Sequence, residues 1–116
     1  MNLTDKVALV TGGAKRVGRA IAIHLAEAGC DVAFTYLTSQ DDAVETAERI
    51  RAAGRRAWPI QVDLNDPGAP GKLRKAMAEH TRALDVLVHN ASLFNATPWG
   101  KIHRDAWHEH LRVNLT

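Results

Sequence analysis

The chain predicts an α/β fold, a doubly wound parallel sheet with its strands in the order 3-2-1-4, and three observations carry that expectation. Strand-like and helix-like patterns alternate from end to end with no linker, repeat or low-complexity segment between them, as in a series of βαβ units. The apolar run Val7-Ala8-Leu9-Val10 passes through Thr11-Gly12-Gly13-Ala14-Lys15-Arg16-Val17-Gly18 into a helical stretch, so a glycine-bearing turn joins a buried strand to a helix. The third strand pattern contains Pro59, which has no N–H for a ladder and belongs on a sheet edge, where a 3-2-1-4 order places strand three.

Each element follows from local pattern. Strand one is about Val7 to Val10. Around the helical stretch Arg19 to Ala28, the positions Gly18, Ile21, Ala22, Leu25, Ala26 and Gly29 share one helical face, and Gly29 is a natural stop. Val32 to Tyr36 reads as strand two. Ser39 offers an N-cap for helix two, whose face is Ala43, Thr46, Ala47 and Ile50, and Gly54 ends it. Strand three is about Ala57 to Val62. Asp66-Pro67 enters a third helix whose start Gly68, Pro70 and Gly71 make irregular; it carries Leu73 and Met77 and runs to about Arg82. Asp85 to Asn90 is strand four, followed by a loop over Ala91 to His103 and a helix from about Arg104.

With 116 residues, 46% of them hydrophobic, the chain can bury one core, and residues 1–116 are expected to form a single domain. Its 15 basic and 13 acidic residues are scattered, and a net charge of +2 does not indicate nucleic-acid binding. No apolar run is long enough to span a membrane, Met1 to Lys6 lacks a leader pattern, and Cys30 is the only cysteine, so a soluble cytoplasmic protein is expected. The histidines His103, His108 and His110 lack the i, i+4 pair with a third ligand that would suggest a metal, and no metal site is expected. Trp107 and Leu111, four apart, read as a buried or intersubunit stripe.

The turn at 11–18 has the chemistry of a phosphate cradle. A pyrophosphate needs backbone N–H groups at close range, and Gly12 offers backbone angles closed to other residues without a side chain in the way. Gly18 stands where the helix packs tightly. The unpaired N–H groups of the first helical turn and the positive end of the helix dipole face the anion, and Lys15 and Arg16 add charge there.

On these residues the chain resembles the short-chain dehydrogenase/reductase family, whose cofactor turn reads T-G-x-x-x-[G/A]-x-G. Thr11, Gly12 and Gly18 match; Arg16 stands at the middle glycine or alanine, as in the pteridine reductase branch, T-G-x-x-[K/R]-R-x-G. The resemblance implies a Rossmann-like sheet and a nicotinamide cofactor held by Gly12, Lys15, Arg16, Val17 and Gly18. Arg16 would reach both the cofactor phosphates and the substrate pocket.

In an open parallel sheet, ligands bind beyond the carboxyl ends of the strands near the reversal of strand order. An NAD-preferring site carries Asp or Glu at the end of strand two, whereas this chain has Tyr36-Leu37-Thr38-Ser39. With no carboxylate to repel a 2′-phosphate, and with Arg16 and Ser39 able to donate to it, NADPH (NADP) is the expected cofactor. Ser39 also suits a helix cap.

The resemblance further implies that Asp63, followed by Leu64, meets the adenine amino group. His89-Asn90-Ala91-Ser92 resembles the family's N-N-A-[G/S], which closes over the adenosine ribose, with His89 replacing the first Asn. Asn90-Ala91-Ser92-Leu93-Phe94-Asn95-Ala96-Thr97-Pro98 is similar to the pteridine reductase form N-A-S-x-F-x-x-T-P. There Ser92 would hydrogen-bond cofactor or substrate and Phe94 would stack on a flat heterocycle. The expected substrate is therefore a small molecule, pterin-like or another carbonyl or imine; 3-oxoacyl or sugar carbonyl reduction is the alternative.

The family's proton donor is a Tyr with a Lys four residues later. This chain has one tyrosine, Tyr36, and position 40 is Gln40, so that pair is absent from it. Of the catalytic set only Asn114 has a match, at the Asn that holds a water in the family's proton relay. The resemblance covers the cofactor-binding half of a domain normally about twice this length. The chain is therefore expected to be a fragment, a truncated product or an incompletely sequenced chain, inactive alone or a non-catalytic nucleotide-binding module, with a homo-oligomeric parent.

Overall fold

A computed structural model of the chain describes residues 2–90. Four strands, β1 (Val7–Thr11), β2 (Asp31–Tyr36), β3 (Ala57–Gln61) and β4 (Val86–His89), alternate with three helices, α1 (Arg16–Glu27), α2 (Gln40–Ala52) and α3 (Ala69–Ala78). All strand pairs are parallel and the order is β3-β2-β1-β4, as the sequence predicts. Register places Leu9 between Ala33 and Leu87, and Thr11 beside His89. Pro59 stands opposite Phe34 on the outer strand and is exposed, so its missing N–H costs no ladder bond.

Strand β1 is buried on both faces, which is why it reads as a continuous apolar run rather than an alternating one. Ala8, Val10, Val32 and Phe34 face α1 and α2, whereas Leu9, Ala33 and Ile60 face α3. Phe34 is fully buried, a side chain whose removal from water contributes roughly 1.5–3 kcal/mol.

Helices α1 and α2 end alike. Cys30 N–H reaches the Leu25 carbonyl at 3.0 Å and Gly29 N–H the Ala26 carbonyl at 3.0 Å, a Schellman closure through Gly29 at φ 106°. At the end of α2, Gly54 at φ 84° makes the same turn. The centre of the α1 packing face is Gly18, Ala22 and Ala26; Ile21 and Leu25 lie on its flank and line an outer apolar hollow of about 460 Å³.

Two boundaries differ from the sequence reading by three residues or more. Helix α1 begins at Arg16, three residues earlier than expected, with Lys15 extended at the N-cap and Arg16 making the turn into the helix at φ 57°. Helix α3 stops at Ala78 rather than near Arg82: His80 and Thr81 N–H groups both turn back to the Met77 carbonyl, and His80 stacks on Trp58 with ring centroids 5.2 Å apart. The irregular start is as expected, with Asp66 Oδ1 accepting from Gly68 N–H at 2.9 Å.

Strand β4 has one neighbour among the described residues, β1, and Val86, Leu87 and Val88 are half-buried. Among the described residues, no helix is long and apolar enough to cross a membrane.

Candidate cofactor site

The turn leaving β1 is built so that no side chain enters it. Gly12 has φ 68°, a conformation that L side chains rarely adopt. A Cβ on Gly18 would lie 2.0 Å from the Gly12 carbonyl oxygen and 2.7 Å from Asn90 Nδ2. Gly13, which the sequence reading left without a role, lies against β2, where a Cβ would meet the Phe34 Cβ at 2.6 Å.

Neighbouring strands fix the turn from both sides. From β2, the buried Thr35 accepts the Gly12 N–H on its hydroxyl at 2.8 Å and the Gly13 N–H on its carbonyl at 3.1 Å. From the end of β4, Asn90 N–H donates to Thr11 Oγ1 at 3.0 Å and its side-chain amide to the Gly12 carbonyl at 3.2 Å. Thr11 Oγ1 in turn donates to the Val88 carbonyl at 3.3 Å.

This arrangement changes which donors can meet an anion. The N–H groups of both glycines are occupied by Thr35, so the glycines shape the cradle. The first-turn N–H groups of α1, beginning at Arg16, are the ones without intrahelical partners. Lys15, Arg16 and Val17 are all exposed at that helix end. Arg16 enters the helix at φ 57°, in the left-handed region where a glycine is the unstrained residue.

A third bracket holds the far side of the turn. The Ala14 carbonyl accepts the Thr46 hydroxyl at 2.6 Å and Arg19 Nε at 3.2 Å, tying the turn to α2. Arg19 and Thr46 were not among the predicted site residues. The signal for Thr46 was a hydroxyl on an otherwise apolar helical face; Arg19, at the start of a helix, gave none.

Two adjoining clefts of about 250 Å³ and 140 Å³ open at the carboxyl ends of the strands and share Gly12, Thr35, Tyr36 and Leu37. The larger adds Ala14, Lys15, Thr38 and Ser39, the smaller Val62, Asp63 and Leu64. Ser39 occupies the N-cap position of α2, yet its hydroxyl makes no capping bond. Asp63 is exposed, and its Oδ1 accepts Asn65 N–H at 2.9 Å. Leu64 is buried against α3. His89 stands beside Thr11 in register. The predicted residues Gly12, Lys15, Arg16, Val17, Gly18, Tyr36, Ser39, Asp63, Leu64 and Asn90 therefore gather at one end of the sheet. Ala91, Ser92, Phe94 and Asn114 lie outside the described residues.

A sequence model for short chain dehydrogenases matches residues 6–116. The chain belongs to this family. Among curated relatives, the short-chain dehydrogenase/reductase FrzI of Cladobotryum sp is 34% identical over 114 residues, which are 98% of this chain and 44% of FrzI. The homolog YusS of Bacillus subtilis is 39% identical over 98 residues, 84% of this chain and 90% of YusS. The chain thus spans less than half of FrzI and nearly all of YusS.

Solved short-chain dehydrogenases share the fold. The landomycin C-6 ketoreductase LanV, with bound NADP and rabelomycin, is 42% identical with a TM-score of 0.73, over 78% of this chain and 39% of LanV. Carveol dehydrogenase from Mycobacterium avium, in complex with NAD, is 30% identical with a TM-score of 0.70, over 78% of this chain and 36% of that one. The site of this chain suits a nicotinamide dinucleotide: a side-chain-free turn, a helix N-terminus with Lys15 and Arg16 beside it, and a cleft continuing to Asp63.

Proposed function

We propose that this chain supplies the cofactor-binding half of an NADPH-dependent reductase that delivers hydride to a carbonyl or imine carbon. One observation carries the cofactor preference: the cleft wall after β2 is Tyr36, Leu37, Thr38 and Ser39, with no carboxylate to accept from the ribose hydroxyls or repel a 2′-phosphate. The Ser39 hydroxyl, free of capping duty, and the exposed Arg16 can both donate to that phosphate.

When bound, NADPH supplies the hydride, and the reduced oxygen or nitrogen takes up a proton. The chain's own part is to bind and orient: Thr35, Asn90, Arg19 and Thr46 hold the turn that faces the pyrophosphate, and Asp63 keeps Oδ2 for the adenine end. Its single tyrosine, Tyr36, has Gln40 four residues later, so on this reading the 116 residues bind cofactor without turning it over. A homo-oligomeric parent in the cytoplasm completes the reading.

Arg16 and Phe94 support a flat, pterin-like substrate. The similarity to LanV, a ketoreductase, supports a second reading, reduction of a ketone. The binding experiment is calorimetric titration with NADP+ and NAD+; tighter NADP+ binding is expected, and equal affinities would sink the cofactor assignment. For the substrate, Phe94→Ala in the full-length enzyme should raise KM for dihydropterins far more than for simple ketones. Equal effects would favour the ketone reading.

A further inference from the structure

Helix α2 begins beside the cleft where the 2′-phosphate would lie, and it begins with negative charge. Asp41 and Asp42 are in its first turn and Glu45 follows one turn on. Asp42 is three residues from Ser39, so the two are neighbours on the helix surface. Left alone, these carboxylates would work against the phosphate that Ser39 is placed to hold.

Arg19 joins them to the cleft wall at Ala14. Its Nη2 is 3.2 Å from Asp42 Oδ1 and 3.3 Å from the Asp42 carbonyl, and Nη1 is 3.4 Å from Glu45 Oε2. Its Nε reaches Thr46 Oγ1 at 2.9 Å and the carbonyl of Ala14, which lines the cleft. The Arg19 side chain is 19% exposed, against 42% and 49% for those of its partners Asp42 and Glu45, so the arginine is the better-buried member of the cluster. Glu45 is also shared with Arg49, at 3.0 Å.

Resting on the NADPH reading above, we propose that Arg19 is a specificity-determining residue, which offsets the field of Asp42 and, together with Arg49, of Glu45 at the 2′-phosphate subsite while turning the Ala14 carbonyl away from it. The Ala14 oxygen accepts from both Thr46 and Arg19, so its lone pairs are directed towards α2. Arg19 acts through these groups and leaves contact with the phosphate to Arg16 and Ser39. Carboxylate-free sequence after β2 is then necessary but not sufficient for a 2′-phosphate site, since the acidic start of α2 must also be neutralised.

The test uses 2′,5′-ADP and 5′-AMP as probes on the intact chain, because their affinity ratio isolates the 2′-phosphate from the phosphate both share. The wild type is expected to prefer 2′,5′-ADP. Arg19→Met should lower the ratio about fivefold at low ionic strength, an amount that the uncompensated Asp42 carboxylate near the subsite can supply while Glu45 keeps Arg49. Arg19→Lys should keep most of the preference, and the effect of Arg19→Met should shrink by about 1 M salt as screening shortens to a few ångströms.

Because Arg19→Met also removes a bond to the turn, the exposed pair is varied separately. Asp42→Asn/Glu45→Gln should raise the ratio, and adding these two changes to Arg19→Met should restore it. A wild-type ratio near one would overturn the NADPH reading and this inference with it. A wild-type preference that either Arg19→Met or Asp42→Asn/Glu45→Gln leaves unchanged overturns the role of Arg19 alone.

Discussion

The side-chain amide of Asn90 donates to the carbonyl of Gly12 at 3.2 Å, joining positions 78 apart in sequence at the point where the strand order reverses between β1 and β4. That carbonyl is also the atom a Cβ on Gly18 would strike. Asn90 therefore sets the height of the turn above the sheet, using its backbone N–H on Thr11 and its amide on Gly12. Replacing Asn90 by Ala removes only the second bond. The expected loss is about 1–1.5 kcal/mol of turn-ordering free energy, or roughly tenfold weaker NADP+ binding. Calorimetric titration of Asn90→Ala reads this, and an affinity within about twofold of wild type would show that the turn is held without the amide.

Gly18→Ala tests the same contact from the helix side. The new methyl group would stand 2.0 Å from a backbone oxygen, which cannot swing aside as a side chain could. Either α1 backs away from the turn or Asn90 releases it. A loss of about 3 kcal/mol or more is expected, which in a domain of this size lowers Tm by more than about 10 °C. Thermal unfolding followed by circular dichroism measures it. Gly68→Ala is the control, since the nearest atom to its added Cβ is at 3.5 Å.

At the start of α3, Lys72 Nζ lies 2.6 Å from Asp66 Oδ2. The hydrogen bond from Lys72, aided by Gly68 N–H, holds the Asp66 carboxyl below the ordinary carboxylate range. The same bond holds the Lys72 ammonium above its ordinary value. The signs fix the pH window. A depressed Asp66 contributes stability above its unfolded-state value and loses it as pH falls through its folded one; a raised Lys72 contributes below its unfolded-state value and loses it as pH rises through its folded one. The pair therefore helps across the neutral range. Lys72→Met should move the Asp66 midpoint, read by NMR titration of its side-chain carboxyl, up towards the ordinary carboxylate range, with the Gly68 N–H bond still holding it down in part.

The fold was legible because its signals are local. Pro59 marked the edge strand, the buried run Val7 to Val10 marked a strand covered on both faces, and Gly29 and Gly54 marked helix ends. The cradle's glycines were legible too, but their hydrogen bonds were not. Thr35 takes both glycine N–H groups from an adjacent strand, and nothing at position 35 distinguishes that threonine from any β-branched strand residue. Arg19 likewise depends on α2 docking beside α1, a relation set by tertiary packing. Ser39 shows the converse: its position in sequence marked it as a cap, and it holds that position without its hydroxyl being used.

Arg16 is where stability and binding should part. Its φ of 57° is left-handed, and a residue with a Cβ is less stable there by roughly 1–2 kcal/mol. Glycine relieves this strain but gains freedom in the unfolded chain worth about 0.5–1 kcal/mol, so Arg16→Gly should stabilise by up to about 1 kcal/mol, a rise in Tm of several degrees. Arg16→Ala loses the same guanidinium but keeps a Cβ and the strain. Both variants should weaken NADP+ binding alike, because both remove the exposed cation beside the cleft. Only Arg16→Gly should melt higher than wild type. Equal melting temperatures for the two would mean that Arg16 does not hold the left-handed turn in solution, whereas the split outcome would mean that the chain keeps a strained arginine at the mouth of its phosphate cradle because binding requires it.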